Sequence, residues 1–307
     1  AGWALMDDAA LAAAIKTTGA EPPRDLDNAR RLFAAAVETP GGLKIQTIHA
    51  FCERVLHLFP FEANVPAEFR AAEDLERAEL LSMAQRQTLE AAARDARLGV
   101  ALALVADESS ESGFGKVVAA AIGKRALLED VERVIARMPQ ALDLGPDEDE
   151  AAVRREIIED GLPWTEWLAV AQALEAGSPN DLKQAIKLRR ALAAAPGPEC
   201  VELYASLFFT QKGELLEKVA TKTVAKSSPD LPARLMAEGQ RVAHLLAKLR
   251  AAETVSRSAA LLRLAADCLK RYDALKRARG ILDFDDLIER TRALFTRHGA
   301  AAWALYK

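Results

Sequence analysis

From Pro232 to Arg279 apolar residues return at helical spacing almost without interruption: Leu235, Val242, Leu245, Leu249, Leu262, Ala266, Leu269, Tyr272 and Leu275. At ~1.5 Å per residue such a helix exceeds ~60 Å if straight. A kink or break is therefore expected, at Gly239 or within residues 254–258, and Gly280 ends the run. An element of this kind calls for helices packed on helices. Composition agrees: hydrophobic residues make up 50% of the chain, many of them alanine, and aromatics only 6%. The 307 residues suffice for one large domain or two ordinary ones. The expected fold is mainly α.

Residues 43–59, LKIQTIHAFCERVLHLF, are the exception to uniform helix. Leu43 and Ile45 alternate with Lys44 and Gln46, the period of a short half-buried strand over 43–46. At Thr47 the period changes, and Ile48, Phe51, Cys52, Val55, Leu56 and Phe59 recur at three and four. A strand entering a helix leaves free N–H groups at the positive end of a dipole, where a phosphate can sit. Thr47 and His49 supply donors there, and Phe51 a flat ring. Spacing alone fits better a cap at Thr47, a core ring at Phe51 and a surface imidazole at His49.

Other helices are expected from Asp7 or Asp8 to Ile15, from Leu26 to Val37, over 74–96 with Leu75, Ala78, Leu81 and Met83 inward, and over 98–106. Residues 107–115 read as loop. Phe114 to Met138 reads as one long helix closed by Pro139. Acidic residues 140–150 read as a solvated loop. Trp164, Trp167, Leu168, Ala171 and Leu174 form an apolar stripe after Pro163, with the tryptophans as core. Further helices run from Gly177–Asn180 to Ala194 and through Val201, Tyr204, Leu207 and Phe208.

The formal net charge of −4 argues against nucleic acid only if charge is evenly spread. It is not: residues 241–279 hold ten basic residues against three acids. Released counterions would drive binding of that run to a phosphate backbone, and a solvated helix face fits it as well. Residues 209–229 add four scattered lysines, Lys212, Lys218, Lys222 and Lys226.

A second marked stretch is Ile281 to Ile288, ILDFDDLI. Asp283, Asp285 and Asp286 are acids at a helix start, where they favour the dipole. With Glu289 they could also share a face and bind Mg²⁺.

Several classes of chemistry have no motif here. The approach to a phosphate-cradling loop at Gly123-Lys124 fails, since Arg125 replaces Ser/Thr and Val118 the first glycine. Cys52, Cys200 and Cys268 form no C-x-x-C pair, which points to a reducing setting without disulfides or structural zinc. His49, Cys52 and His57 lack a second cluster to complete a metal site. No apolar run reaches membrane length, and no signal peptide opens the chain.

The string T-I-H-A-F-C-x-R-V-L, Thr47 to Leu56, resembles the single-strand-binding motif of UvrD/RecB-type DNA helicases. Its flanks, Glu38 to Lys44 and Phe59 to Ala63, are similar to AddA, the helicase–nuclease subunit of bacterial double-strand-break repair complexes. Residues 209–229 and the segment around Lys270–Arg279 share in this resemblance. L-D-F-D-D-L, Leu282 to Leu287, resembles the segment that precedes the Walker B strand.

The resemblance implies DNA contact by Thr47, His49 and Phe51, and by Lys212, Lys222, Lys276 and Arg279. It implies a structural or coupling role for Asp283, Phe284, Asp285 and Asp286, and no catalytic residue or metal ligand in this stretch. Residues 1–60 and 280–307 would belong to the first, RecA-like motor domain, and 61–279 to a helical insertion. The nucleotide loop would lie before Ala1 and Walker B just after Lys307. The parent would then be an ATP- and Mg²⁺-dependent helicase with a nuclease domain elsewhere, acting in repair and recombination. It would be cytoplasmic and bacterial, with DNA and a second subunit of an AddAB-type complex as partners. This stretch alone would hold no cofactor and be inactive. A helical protein–protein scaffold, docking through the basic run and acidic loop, is the competing expectation. An independent metal nuclease on Asp285, Asp286 and Glu289 is a third.

Overall fold

The computed structural model describes residues 2–38, 46–106, 111–194 and 199–296. The fold is mainly α. In chain order the helices are α1 (Asp8–Thr17), α2 (Leu26–Glu38), α3 (Ile48–Leu58), α4 (Pro60–Ala63), α5 (Asp74–Ala92), α6 (Ala96–Ala106), α7 (Glu111–Ile122) and α8 (Arg125–Leu128). They continue with α9 (Val131–Ala141), α10 (Glu150–Glu159), α11 (Trp167–Glu175), α12 (Pro179–Ala194), α13 (Cys200–Ala205), α14 (Lys222–Ser227), α15 (Leu231–Arg279) and α16 (Phe284–Thr296). Two short strands, β1 (Arg70–Ala71) and β2 (Ile281–Leu282), form a parallel pair with Arg70 opposite Ile281 and Ala71 opposite Leu282.

Aspartates start several helices. Asp7, Asp130 and Asp149 each accept the backbone N–H three residues on, at 2.7, 3.3 and 2.7 Å. Each satisfies one of the donors that a helix start leaves open.

The chain divides into two compact units, Ala1–Glu73 with Arg279–Lys307, and Asp74–Ala278. In the first unit Leu11, Ile15 and Ala29 form one small core. A second core holds Cys52, Leu56, Ala63, Phe69, Leu282 and Leu287, and Val55 of α3, Phe59 at its end and Leu294 of α16 pack beside one another. The parallel pair is closed by Arg70 N–H donating to Gly280 O at 3.2 Å and Ala72 N–H to Leu282 O at 2.8 Å.

The larger core of the second unit gathers Trp167, Leu188, Tyr204, Phe208, Leu235 and Val242, all fully buried. Trp167 stacks flat on Tyr204 at 4.1 Å, and Phe208 meets Tyr204 edge-on at 5.3 Å.

Several expectations need correction. Leu43, Lys44 and Ile45 of the expected strand lie outside the described residues, and Gln46 is not in a strand. The long helix has no break: α15 runs 49 residues through both suspected sites. Gly239 instead makes room, since a Cβ there would come 3.2 Å from Phe208 Cδ1 and 3.3 Å from Leu215 Cδ1. Thr254 turns its hydroxyl back on its own helix, donating to Arg250 O at 2.7 Å, so the polar stretch costs no turn.

The single helix expected over 114–138 is three. Gly123-Lys124 separates α7 from α8, and the Asp130 cap starts α9 afresh. Pro139 lies within α9, which continues to Ala141. Residues 111–115 are helical rather than loop, while 107–110 lie outside the described residues. On α5 the buried face is Leu80, Ala84, Thr88 and Ala92, and Leu75 is 73% exposed. Leu168 is likewise exposed, although Trp167, Ala171 and Leu174 are buried. Among the described residues no helix is long and apolar enough to cross a membrane.

Candidate nucleic-acid interface

In the first unit the marked residues of α3 and α16 come together. Thr47 has extended backbone (φ −68°, ψ 159°), and its hydroxyl accepts the Ala50 N–H at 3.2 Å. Thr47 is exposed and is the N-cap of α3. One residue into the helix, half-buried His49 packs its imidazole on Phe284 at 4.6 Å, tilted by 46°. Half-buried Phe51 lies against both apolar clusters between α3 and α16. Its ring is thus neither sealed in nor fully presented.

The partner segment is fixed by reciprocal capping. Asp283 N–H donates to Asp286 Oδ2 at 3.0 Å, and Asp286 N–H donates to Asp283 Oδ1 at 2.9 Å. Both carboxylates are buried, while Asp285 is exposed. Gly280, at φ +63°, lets the chain leave α15 and enter β2 in the left-handed conformation that glycine tolerates. Pairing of β2 with β1 then sets where α16 begins, and with it where Phe284 meets His49. Among the described residues no group of three His, Cys, Asp or Glu could hold a metal ion.

In the second unit the lysine-rich segment is only partly irregular. Phe209 bridges Leu215, Thr210 N–H donates to Glu214 O at 2.8 Å, and Gly213 takes φ +80°. Lys212 sits exposed at the tip of that hairpin. Lys222 opens α14, and Lys218, Lys222 and Lys226 are all exposed.

The basic run on α15 is largely used up inside the unit. Lys248 pairs with Glu148, Arg263 with Glu132 at 3.0 Å, and Arg271 with Asp267 at 2.6 Å. These pairings hold the Glu132 and Glu148 carboxyls below the usual carboxylate range, through the hydrogen bonds from Arg263 and Lys248 respectively. Lys276 departs from its expected role. It is buried, 3.1 Å from Asp273 and 4.5 Å over the Tyr272 ring, which is the place of a structural cation. Arg279 is exposed at the end of α15.

Two arrangements were not anticipated from the sequence. Tyr204 donates to Glu238 Oε1 at 2.6 Å, and Arg241 clasps Glu238 at 2.8 and 2.9 Å while donating to Glu156 O and Ile157 O. Burial first, then the bond to Glu238, pushes the Tyr204 hydroxyl far above the ordinary tyrosine value. Asp181 is the other, a buried carboxylate bonded to Ser178 and Thr221. Its signal was present: Ser178-x-x-Asp181 ahead of an apolar-periodic run is a capping pattern.

No curated protein sequence matches the chain. The family model described as the UvrD/REP helicase N-terminal domain matches residues 27–306, nearly the whole length. The pairing of the α3 motif with the segment that opens α16 thus lies in a chain that belongs to the UvrD/REP helicase N-terminal domain family.

Proposed function

We propose that the chain is a DNA-contacting stretch of an ATP-dependent DNA helicase of the AddA type, acting in double-strand-break repair and recombination. The observation that supports this best is the packing of His49 on Phe284, which joins the two motif segments in one place. Thr47, His49 and Phe51 would meet a single strand at the start of α3. Lys212, Lys222 and Arg279 would meet phosphates. Asp283, Phe284, Asp285 and Asp286 would hold or couple that region, and Lys276 would serve the packing of α15 rather than the DNA.

The unit formed by residues 1–73 and 279–307 would be the piece of the first motor domain, and 74–278 the helical insertion. ATP and Mg²⁺ would be bound by parts of the parent outside this stretch, with nuclease activity elsewhere and a second AddAB-type subunit as partner in the cytoplasm.

Binding of a fluorescent single-stranded oligonucleotide tests the reading. Phe51→Ala should weaken it by the worth of one stacked base, ~1–3 kcal/mol, and His49→Ala should weaken it too. Unchanged binding at moderate salt removes both assignments. The competing scaffold reading makes the opposite salt prediction. Association with a polyanion weakens steeply as salt rises, whereas an apolar docking face does not.

A further inference from the structure

The short helix α14, which carries Lys222 and Lys226, is seated on the turn between α11 and α12 through one buried carboxylate. Asp181 is fully buried and accepts four hydrogen bonds. Ser178 N–H and Ser178 Oγ donate to Oδ2 at 2.7 and 2.8 Å. Thr221 N–H donates to Oδ1 at 2.8 Å, and Thr221 Oγ1 donates to Oδ2 at 2.5 Å.

The first pair closes the cap of α12. The second pair reaches 40 residues along the chain to the residue before α14. Thr221 has the extended backbone of an N-cap (φ −85°, ψ 172°), yet its hydroxyl makes no cap on its own helix and goes to Asp181 instead.

A second seat lies beside the first. A Cβ on Gly177 would fall 2.5 Å from Asp181 Oδ2 and 2.7 Å from Val224 Cγ2. Only glycine allows the turn to close on both at that distance. Val224 is the buried residue of α14, while Lys222 and Lys226 are exposed. Six residues are too few for a helix to persist unaided. The placement of these lysines is therefore set by the seat. Burial pushes the Asp181 carboxyl up, and the bonds from Thr221 and Ser178 outweigh it, leaving it below the ordinary value.

We propose that Asp181 is a positioning residue for nucleic-acid binding, holding Thr221, and through it Lys222 and Lys226, where they meet a phosphate backbone. This rests on the reading of residues 209–229 as a DNA-contacting segment.

The test compares, in the full chain, the slope of log affinity against log salt for a single-stranded oligonucleotide. Lys222→Ala with Lys226→Ala should flatten the slope by about 1.4, at about 0.7 for each phosphate left without its lysine. Asp181→Asn should flatten it comparably, and joining it to the lysine pair should add nothing. Thr221→Val should act in the same direction, and it carries the test if Asp181→Asn does not fold. Amide exchange should show protection lost over 222–227 in Asp181→Asn and Thr221→Val while α12 keeps its own.

If the lysine pair flattens the slope and neither seat variant does, the positioning role is overturned and the DNA reading stands. Unchanged protection over 222–227 in both seat variants overturns it as well. If the lysine pair itself leaves the slope unchanged, α14 does not touch DNA, and the positioning role falls with that reading.

Discussion

The imidazole of His49 and the phenyl ring of Phe284 stand 4.6 Å apart, tilted by 46°, across the packing of α3 on α16. This pairing gives Phe284 an influence on single-strand binding without requiring that it touch DNA. Phe284→Ala should weaken binding of a single-stranded oligonucleotide about 2- to 10-fold, the worth of one aromatic pair at ~0.5–1.5 kcal/mol. Phe284→Leu should lose less. A loss for His49→Ala with none for Phe284→Ala would show that the imidazole needs no support from α16.

The crossed caps of Asp283 and Asp286 predict a folding role for these acids. Asp286→Ala removes the acceptor of a buried N–H and should cost ~1–2 kcal/mol in a urea melt. Asp283→Ser keeps a capping oxygen and should cost a few tenths. Added Mg²⁺ should leave the wild-type midpoint where it is. A Mg²⁺-dependent rise lost in Asp286→Ala would restore the metal reading.

Glu238 joins Tyr204 and Arg241 at the centre of the second unit. Removing one partner of a buried pair leaves the other charge exposed to a poor medium, at ~3–5 kcal/mol. Arg241 keeps part of its side chain in solvent, so Glu238→Ala should fall at the low end of that range. Tyr204→Phe, which removes one hydrogen bond and keeps the stacked ring, should cost only ~1–2 kcal/mol. Thermal melts of the two variants check the order, and an equal cost would place the stability in the Tyr204–Glu238 hydrogen bond rather than in the pairing of Glu238 with Arg241.

The lowered Asp181 carboxyl gives a signed prediction against pH. Its ordinary value is 3.8, and the folded value lies below that. Its contribution is therefore complete above the ordinary value and fades as acid takes the pH down through the folded one. The stability gap between wild type and Asp181→Asn should be constant from about pH 7 to 5 and shrink below about pH 4. A gap that widens on acidification would mean that the carboxyl is protonated in the folded chain.

Helices of this chain are readable where an apolar stripe meets a cap, as at Asp7 and Thr47, because both signals are local, whereas the Asp130 cap is hidden inside a stripe that continues across it. The face of α5 was not readable, since Leu75 and Leu80 both suit a helix and only the packed neighbours choose Leu80 for the interior. Gly239 misled for a related reason. Its missing side chain matters to Phe208 and Leu215, distant in sequence, and not to the helix that contains it. Thr47 as a helix cap followed directly from the change of period at that residue. Lys276 did not, because charge composition carries no sign of whether an ammonium will turn toward Asp273 and Tyr272 or toward solvent.

The parallel pair of β1 and β2 has a further consequence. Arg70 and Ile281 are register partners on strands about 4.8 Å apart, yet the whole second unit is threaded between them. The chain departs from the first unit and comes home to it through neighbouring doorways. The host's sheet therefore closes only across the long interval of chain from Arg70 to Ile281, a pairing that carries the loop-closure cost of everything between.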